Sequence, residues 1–377
     1  MLTCLLFIVT FTGLLYPDGR GVFLRIWGDK MRGLRKYLTP FAPDQSGAVS
    51  VFFELGGIVV ICDAGGCTGN VCGFDEPRWF EQKSAIFSAG LRDMDAILGR
   101  DDRLVAKLAD AAQKVDAAFA AVIGTPVPAV IATDYLALKR MSEKKIKLPI
   151  LTVDTDGMEL YDKGEEKAFV ELFKTFATKK YPLEERKIGV LGMTPQDVSD
   201  LAAADKTRAL YQQQYGQQAV CYCMRDGLEE IKKASSVGKN IVVSPAALMT
   251  AKYLEKTFGT PYEIRYPLVD ELIPDIDYTG KRVLVVHQQV IADSIRRELL
   301  QKGAETVQKA SWFMMKKELL VDGDVPLRDE DDYIELVQNG DFDIIFADGC
   351  MERMTPEFEG IFVNTRHFAV SGKLIGK

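Results

Sequence analysis

The sequence predicts an α/β chain of three small Rossmann-like domains whose parallel sheets surround a central cleft, and three observations carry that prediction. From Gly57 onward, short β-branched runs alternate with amphipathic helical stretches, the pattern of βαβ units and parallel sheets. Two breaks divide this alternation into pieces that each repeat it. At 377 residues the chain is too long for one ordinary core and suits two or three domains of roughly 150 residues.

The expected strands, in order, are "GIVVI" (57–61), "AAFAAVIG" (117–124), "LPILTVD" (148–154), "KIGVLG" (187–192), "AVCYCM" (219–224), "NIVVS" (240–244), "KRVLVVH" (281–287) and "FDIIFAD" (342–348). Helical patterns fill the intervals. In "RLVAKLADAAQKV", for example, Leu104, Val105, Leu108, Ala111, Ala112 and Val115 recur at helical spacing. Breaks are expected at "YDKGEE" (161–166) and at the Pro/Gly/Asp-rich "IPDIDYTGK" (273–281). The resulting domains are 31–162, 163–275 and 276–377, with residues 1–30 as an N-terminal extension. That extension contains an apolar run from Leu2 to Leu15, shorter than the ~20 residues of a spanning helix. It lacks the basic start and cleavage site of a secretory signal. Three readings stand: a start mis-called upstream of Met31, a buried or membrane-associating segment, and a signal.

A hydrophobic content of 47% against 27% charged residues is that of a folded soluble protein. The net charge of −7, with no Lys/Arg tract, argues against a nucleic-acid partner. Seven cysteines are too sparse for a disulfide scaffold, and an odd number cannot all pair within one chain. A reducing, cytoplasmic setting follows, and clustered thiols then point to metal or redox chemistry.

The cluster lies in "GIVVICDAGGCTGNVCG" (57–73), where Cys62, Cys67 and Cys72 stand five apart among glycines. That spacing suits neither a helix face nor a strand face. The three sulfurs are therefore expected to converge on irregular backbone that glycine supplies. "GGCTG" fits neither the dinucleotide fingerprint nor the P-loop, which leaves metal or cluster ligation, a reactive thiol, or plain buried cysteines. Structural zinc usually takes four closed ligands and iron–sulfur clusters four thiolates. A further ligand would then come from elsewhere in the chain or from a second subunit, unless the site is an open iron centre.

Ligands of open parallel sheets bind beyond the carboxyl ends of the strands. This rule selects His287, at the end of "KRVLVVH", and Asp348, at the end of "FDIIFAD". Arg78 is close in sequence to the thiols and is expected either to stabilise their thiolates or to form a salt bridge. Cys221 and Cys223, two apart in an expected strand, would face one core.

Beyond these residues, the chain from Met31 on resembles the nitrogenase component 1 superfamily, which includes the nitrogenase catalytic subunits and the dark-operative protochlorophyllide reductase. The likeness rests on "MRGLRKYLTPFAPDQSGAVSVFFELGG" (31–57), "CDAGGCTGNVCGFDEPRWF" (62–80), "IGTPVPAVIATD" (123–134), "PILTVDTDGMELYDKG" (149–164), "GKRVLVVHQQVIADSIRREL" (280–299) and "ASWFMMKKEL" (310–319). The resemblance implies a homodimer or heterodimer of component 1-like subunits and an iron–sulfur cluster near their interface. It also implies electrons from an ATP-hydrolysing iron protein. Cys67 falls at the family's cluster cysteine, Cys62 replaces the histidine of that motif, and another ligand position falls at Thr125 and Pro126, where no thiol stands. A 4Fe-4S cluster held by Cys67, Cys62 and Cys72 is therefore expected rather than an eight-iron cluster. Ser244 stands at the cysteine position of the iron–molybdenum cofactor, and Arg366 or His367 near its histidine position, so neither that cofactor nor dinitrogen reduction is expected.

The leading expectation is an oxidoreductase component that passes low-potential electrons to a small molecule in the cleft, with His287 or Asp348 giving the proton. The runner-up is a non-catalytic scaffold or carrier for cluster assembly. A metal- or siderophore-binding protein of periplasmic type is the third reading.

Overall fold

The protein, described here by a computed structural model over residues 35–82 and 84–376, contains three parallel sheets. The first joins β1 (Ile58–Ile61), β2 (Ala85–Ser88), β3 (Ala120–Ile123) and β4 (Ile150–Val153) in the order β2-β1-β3-β4. The second joins β5 (Glu184–Leu191), β6 (Gln218–Cys221), β7 (Val237–Val242) and β8 (Tyr262–Ile264) in the order β6-β5-β7-β8. The third joins β9 (Arg282–Val286), β10 (Thr306–Ser311), β11 (Val325–Pro326), β12 (Ile344–Ala347) and β13 (Ile361–Asn364) in the order β11-β10-β9-β12-β13. β1, β3 and β12 are unbroken apolar runs buried along their whole length, as strands covered on both faces must be.

Helices cover the first sheet: α1 (Asp44–Phe52), α2 (Gly66–Asn70), α3 (Asp93–Leu98), α4 (Asp101–Lys114), α5 (Pro126–Val130), α6 (Tyr135–Lys145) and α7 (Tyr161–Phe176). Those around the second are α8 (Pro195–Val198), α9 (Ala203–Tyr215), α10 (Leu228–Lys232) and α11 (Leu248–Phe258). Around the third lie α12 (Gln289–Gln301), α13 (Glu330–Asn339) and α14 (Phe368–Ser371). Among the described residues no helix is long and apolar enough to cross a membrane. The apolar run at Leu2–Leu15 lies outside the described residues.

Every expected strand is present with shifted ends, β5, β6 and β7 starting one to three residues earlier than expected and the others trimmed, but two local readings change. "YDKGEE" opens α7 instead of breaking the chain. Its glycine is needed because α7 crosses α1 backbone to backbone: a Cβ on Gly164 would lie 1.7 Å from Asp44 O, and one on Gly47 1.9 Å from Tyr161 O. The close crossing outweighs the roughly 1 kcal/mol that glycine costs inside a helix. "AVCYCM" leaves the sheet at Cys221, and Cys223 turns away with a φ of +65°. Cys221 consequently packs in the core shared by the second and third sheets, and Cys223 in the core between the first and second.

Those shared cores bring the three sheets together. α7 lies in the core between the first two, where Phe169, Leu172 and Phe173 meet Ile61, Leu151 and Val242. The chain leaving the carboxyl ends of β5, β7, β9, β12 and β13 then runs into one buried polar junction beside Tyr161, which holds Asp197, Ser244, His287, Asp348 and His367.

Candidate functional site

The cysteine loop begins where β1 ends. Cys62 stays in the ladder, its N–H bonded to Ile123 O at 2.8 Å. Its side chain follows Ile58 and Val60 into the outer core against Leu104, Val105 and Leu108, while Val59 and Ile61 face the opposite core. Cys67 packs against that opposite core from α2, so the expected convergence of three sulfurs does not occur. The correction follows from strand alternation, which continues one residue past the apolar run. Burial pushes the Cys62 thiol up to about 12. Among the described residues no three His, Cys, Asp or Glu side chains are grouped to hold a metal ion.

Cys67 and Cys72 differ from Cys62 in being half-buried. After Gly65, at a φ of +121°, the chain forms α2 and then a π-turn over Val71–Asp75 that carries Cys72. Such turns are frequent at functional sites. Asp63 fastens the loop by accepting from Thr68 N–H at 2.7 Å and from the Ser88 hydroxyl at 2.6 Å. The Thr125 hydroxyl lies beside the Cys67 thiol and lowers its pKa, but burial and then Asp63 act more strongly to raise it. Cys72 is raised by burial and by Glu76.

Arg78 does not face the thiols. Its Nε and one terminal nitrogen grip Glu76 at 2.8 and 2.7 Å, and the other donors reach Glu54 Oε1, Ser50 O and Cys223 O. Of its two expected roles the structure gives the salt bridge, and the residue pins the cysteine run to α1 and to the turn after β6.

His287 and Asp348 are both buried at the junction. His287 Nδ1 accepts from Gln288 N–H at 2.8 Å, so Nε2 carries the proton and donates to Arg366 O at 3.1 Å. Burial holds this ring down at about 4. Asp348 accepts from Cys350 N–H, His367 N–H and the Ser371 hydroxyl. With these bonds made, neither group points a free proton at a cleft, and both serve to seat His367. The residues that sequence reasoning missed are Tyr161, Asp162, Glu165, Thr194 and Asp197. An acidic helix start at "YDKGEE" was their one visible signal.

Asp162 gives the junction a measurable pH signature. It is 2% exposed, accepts from Met314 N–H, and burial raises its carboxyl to about 6. A carboxyl raised in the fold contributes stability that is full below its unfolded pKa and is lost as pH rises through about 6. His287, depressed to about 4, acts oppositely, adding stability as pH rises toward its ordinary value. The two oppose each other in the wild type. Asp162→Asn, which cannot ionise, is therefore expected to gain about 3 kcal/mol on wild type between about pH 4 and 7. Denaturant unfolding at each pH reads this, and a constant difference would refute it.

Around the cysteine turn, the segments leaving the carboxyl edge of the first sheet carry Phe74, Phe80, Ile97, Val130, Leu136 and Met158, each well over half exposed. Beside the same turn opens a cavity of about 1100 Å³, lined by Gly73 and Asp75 of that turn together with Phe41, Gln196, Phe368 and Lys373.

Residues 44–270 match the nitrogenase component 1 type oxidoreductase family. Among solved structures, the chain is similar to one titled "Nitrogenase Cp1 at pH 6.5", with a TM-score of 0.67 and 11% identity over 89% of this chain and 87% of that one. It is also similar to "Nitrogenase Cp1 at pH 5", with a TM-score of 0.63 and 15% identity over 91% and 87%. At such identities the likeness speaks for the fold. No curated protein matches the sequence. The family match spans more than half of the chain, and by it this protein belongs to the nitrogenase component 1 type oxidoreductases.

Proposed function

We propose that the protein is the iron–sulfur component of a nitrogenase-like reductase. The observation that carries this reading is the presence of two half-exposed thiols, Cys67 on α2 and Cys72 on the π-turn that follows it directly, amid exposed apolar side chains. Cys62 is set aside because its thiol is committed to the core. Two thiols per chain fall short of the four that an iron–sulfur cluster usually takes. Two copies, or this chain with a component 1-like partner that also brings two thiols, would supply four, and the exposed apolar side chains suit burial in such an interface. When bound, a 4Fe-4S cluster supplies one-electron transfer at low potential. The chain's own residues do the rest: Asp63 and Arg78 hold the turn in place, and the neighbouring cavity takes a small-molecule substrate. Electrons would come from an ATP-hydrolysing iron protein. The sheets at 58–153, 184–264 and 282–364 serve as the three domain frames.

At the family's iron–molybdenum cofactor positions, the fit is poor. Ser244 is fully buried and caps Ala246 N–H, and His367 Nε2 is bonded to Tyr161 at 3.0 Å. Dinitrogen reduction is not part of the proposal.

Anaerobic reconstitution with iron and sulfide, followed by iron analysis and EPR, tests it. Wild type and Cys62→Ala are expected to take up a cluster, and Cys67→Ala and Cys72→Ala to lose it. A wild type that stays colourless, or a Cys67→Ala that matches it, would end the reading. For the interface, Phe74→Glu with Val130→Glu is expected to turn a dimer into a monomer in sedimentation. Unchanged mass would place the contact elsewhere.

A further inference from the structure

At the meeting of the three sheets, Glu165 and Asp197 lie fully buried as hydrogen-bonding neighbours. Around them, Thr194 Oγ1–H donates to Glu165 Oε1 at 2.6 Å, and Tyr161 Oη–H donates to Asp197 Oδ1 at 2.8 Å. The other oxygen of each, Glu165 Oε2 and Asp197 Oδ2, makes no well-formed hydrogen bond among the described residues, and the Ser244 hydroxyl is the one neutral donor that acts on Asp197 from that side. Neither carboxyl has a Lys or Arg ion-pair partner among the described residues; their strongest neighbours are each other, Asp162, Ser244, Thr194 and Tyr161. Two ionised carboxylates cannot persist side by side, dry and without a counter-ion. One proton between them satisfies both orphaned oxygens and removes one of the two charges.

Tyr161 links the pair to a second feature. Having given its only proton to Asp197, its oxygen is free to accept, so His367 Nε2 at 3.0 Å carries a proton and donates it. His367 in turn stacks on His287 with ring centroids 4.3 Å apart and planes 9° from parallel. The cavity beside the cysteine turn is walled by Phe368, the residue after His367, and by Gln196, the residue before Asp197.

We propose that Glu165 and Asp197 share one proton, and that Tyr161 and His367 form the hydrogen-bonded chain along which it exchanges, making the junction a buried proton-holding site. In one direction, His367 passes its Nε2 proton to Tyr161 Oη while Tyr161 passes its own to Asp197 Oδ1. His367 then takes a replacement at Nδ1 from solvent hydronium, so the ring ends neutral. The reverse sequence releases a proton from His367 Nδ1 to solvent. One proton crosses and no electron moves. Burial agrees with the arrangement: it holds Glu165 well above the carboxylate range, with Asp197 acting in the same sense, and holds His367 well below the ordinary imidazole range, with His287 second. The proposal stands on side-chain geometry and does not depend on the cluster.

Infrared difference spectroscopy on the full chain, without reconstitution, tests it. At neutral pH the wild type is expected to show a protonated-carboxyl C=O band that shifts in D₂O, is lost in Glu165→Gln and moves in Asp197→Asn. Both variants keep shape and hydrogen-bonding atoms. Tyr161→Phe should keep the band but slow its deuterium exchange on the order of a hundredfold. Should that variant not fold, His367→Gln is read the same way. A band unchanged in Glu165→Gln overturns the shared proton, and unslowed exchange in Tyr161→Phe overturns the path. No such band, together with a melting temperature that rises with added sodium or potassium, would make the pair a cation site and overturn the proposal.

Discussion

Replacing Arg78 with methionine is expected to cost about 3–5 kcal/mol of stability and to loosen the run carrying Cys67 and Cys72. The guanidinium is 3% exposed and its partner Glu76 is 1% exposed, so the ion pair is out of water. All five of its N–H groups are engaged, and its plane lies over the Phe53 ring at 4.7 Å from the centroid. Methionine fills much of the same space yet leaves Glu76 charged and unpaired in a dry site. The cost is therefore set mostly by the stranded carboxylate and less by lost contacts. Adding Glu76→Gln to Arg78→Met is accordingly expected to recover a large part of the loss. Denaturant unfolding of the four members of this cycle gives the answer. A single-variant loss under about 1 kcal/mol would mean that the pair behaves as a surface ion pair and leaves the cysteine run otherwise supported.

What the sequence made legible follows from how each element is buried. β1, β3 and β12 are covered on both faces and announce themselves as apolar runs. The edge strands β2, β8, β11 and β13 are half-exposed and only two to four residues long, too short to stand out from the loops around them, and they went unread. The Cys62 error had a readable signal. A strand covered on both faces keeps alternating until its ladder ends, and the bond from Cys62 N–H to Ile123 O ends it one residue later than the apolar run suggested. The buried junction was less accessible, because Tyr161, Glu165, Thr194, Asp197 and His367 come from separate stretches that only the packing of three sheets brings together. "YDKGEE" looked like a break for the same reason: charged residues usually face water, whereas Asp162 and Glu165 face this junction.

Lys309→Met is expected to produce a loss of similar size, about 3–5 kcal/mol, in the third sheet. Lys309 sits within β10, in "TVQKAS", a run whose glutamine and lysine hid the strand from any reading by apolar pattern. Its ammonium is fully buried and reaches Asp293 Oδ1 at 2.7 Å, Asp324 Oδ2 at 3.0 Å and Leu319 O at 3.3 Å. Arg296 also pairs with Asp324, which is 2% exposed. The charges therefore form a network of two cations and two carboxylates joining β10, α12 and the 319–324 loop. Removing Lys309 leaves Arg296 to compensate two carboxylates, of which Asp293 is closer to water and Asp324 is not. Burial already raises the Asp293 carboxyl against the pull of Lys309. Without that pull its pKa should rise further, so the variant should lose more stability at neutral pH than in mild acid. Lys309→Met with Asp293→Asn should remove that added pH dependence, because the residue that would take up the proton no longer titrates. If Lys309→Met instead loses the same stability at every pH, the lysine acts through packing of its aliphatic stem alone, and the ion network contributes little to holding the third sheet.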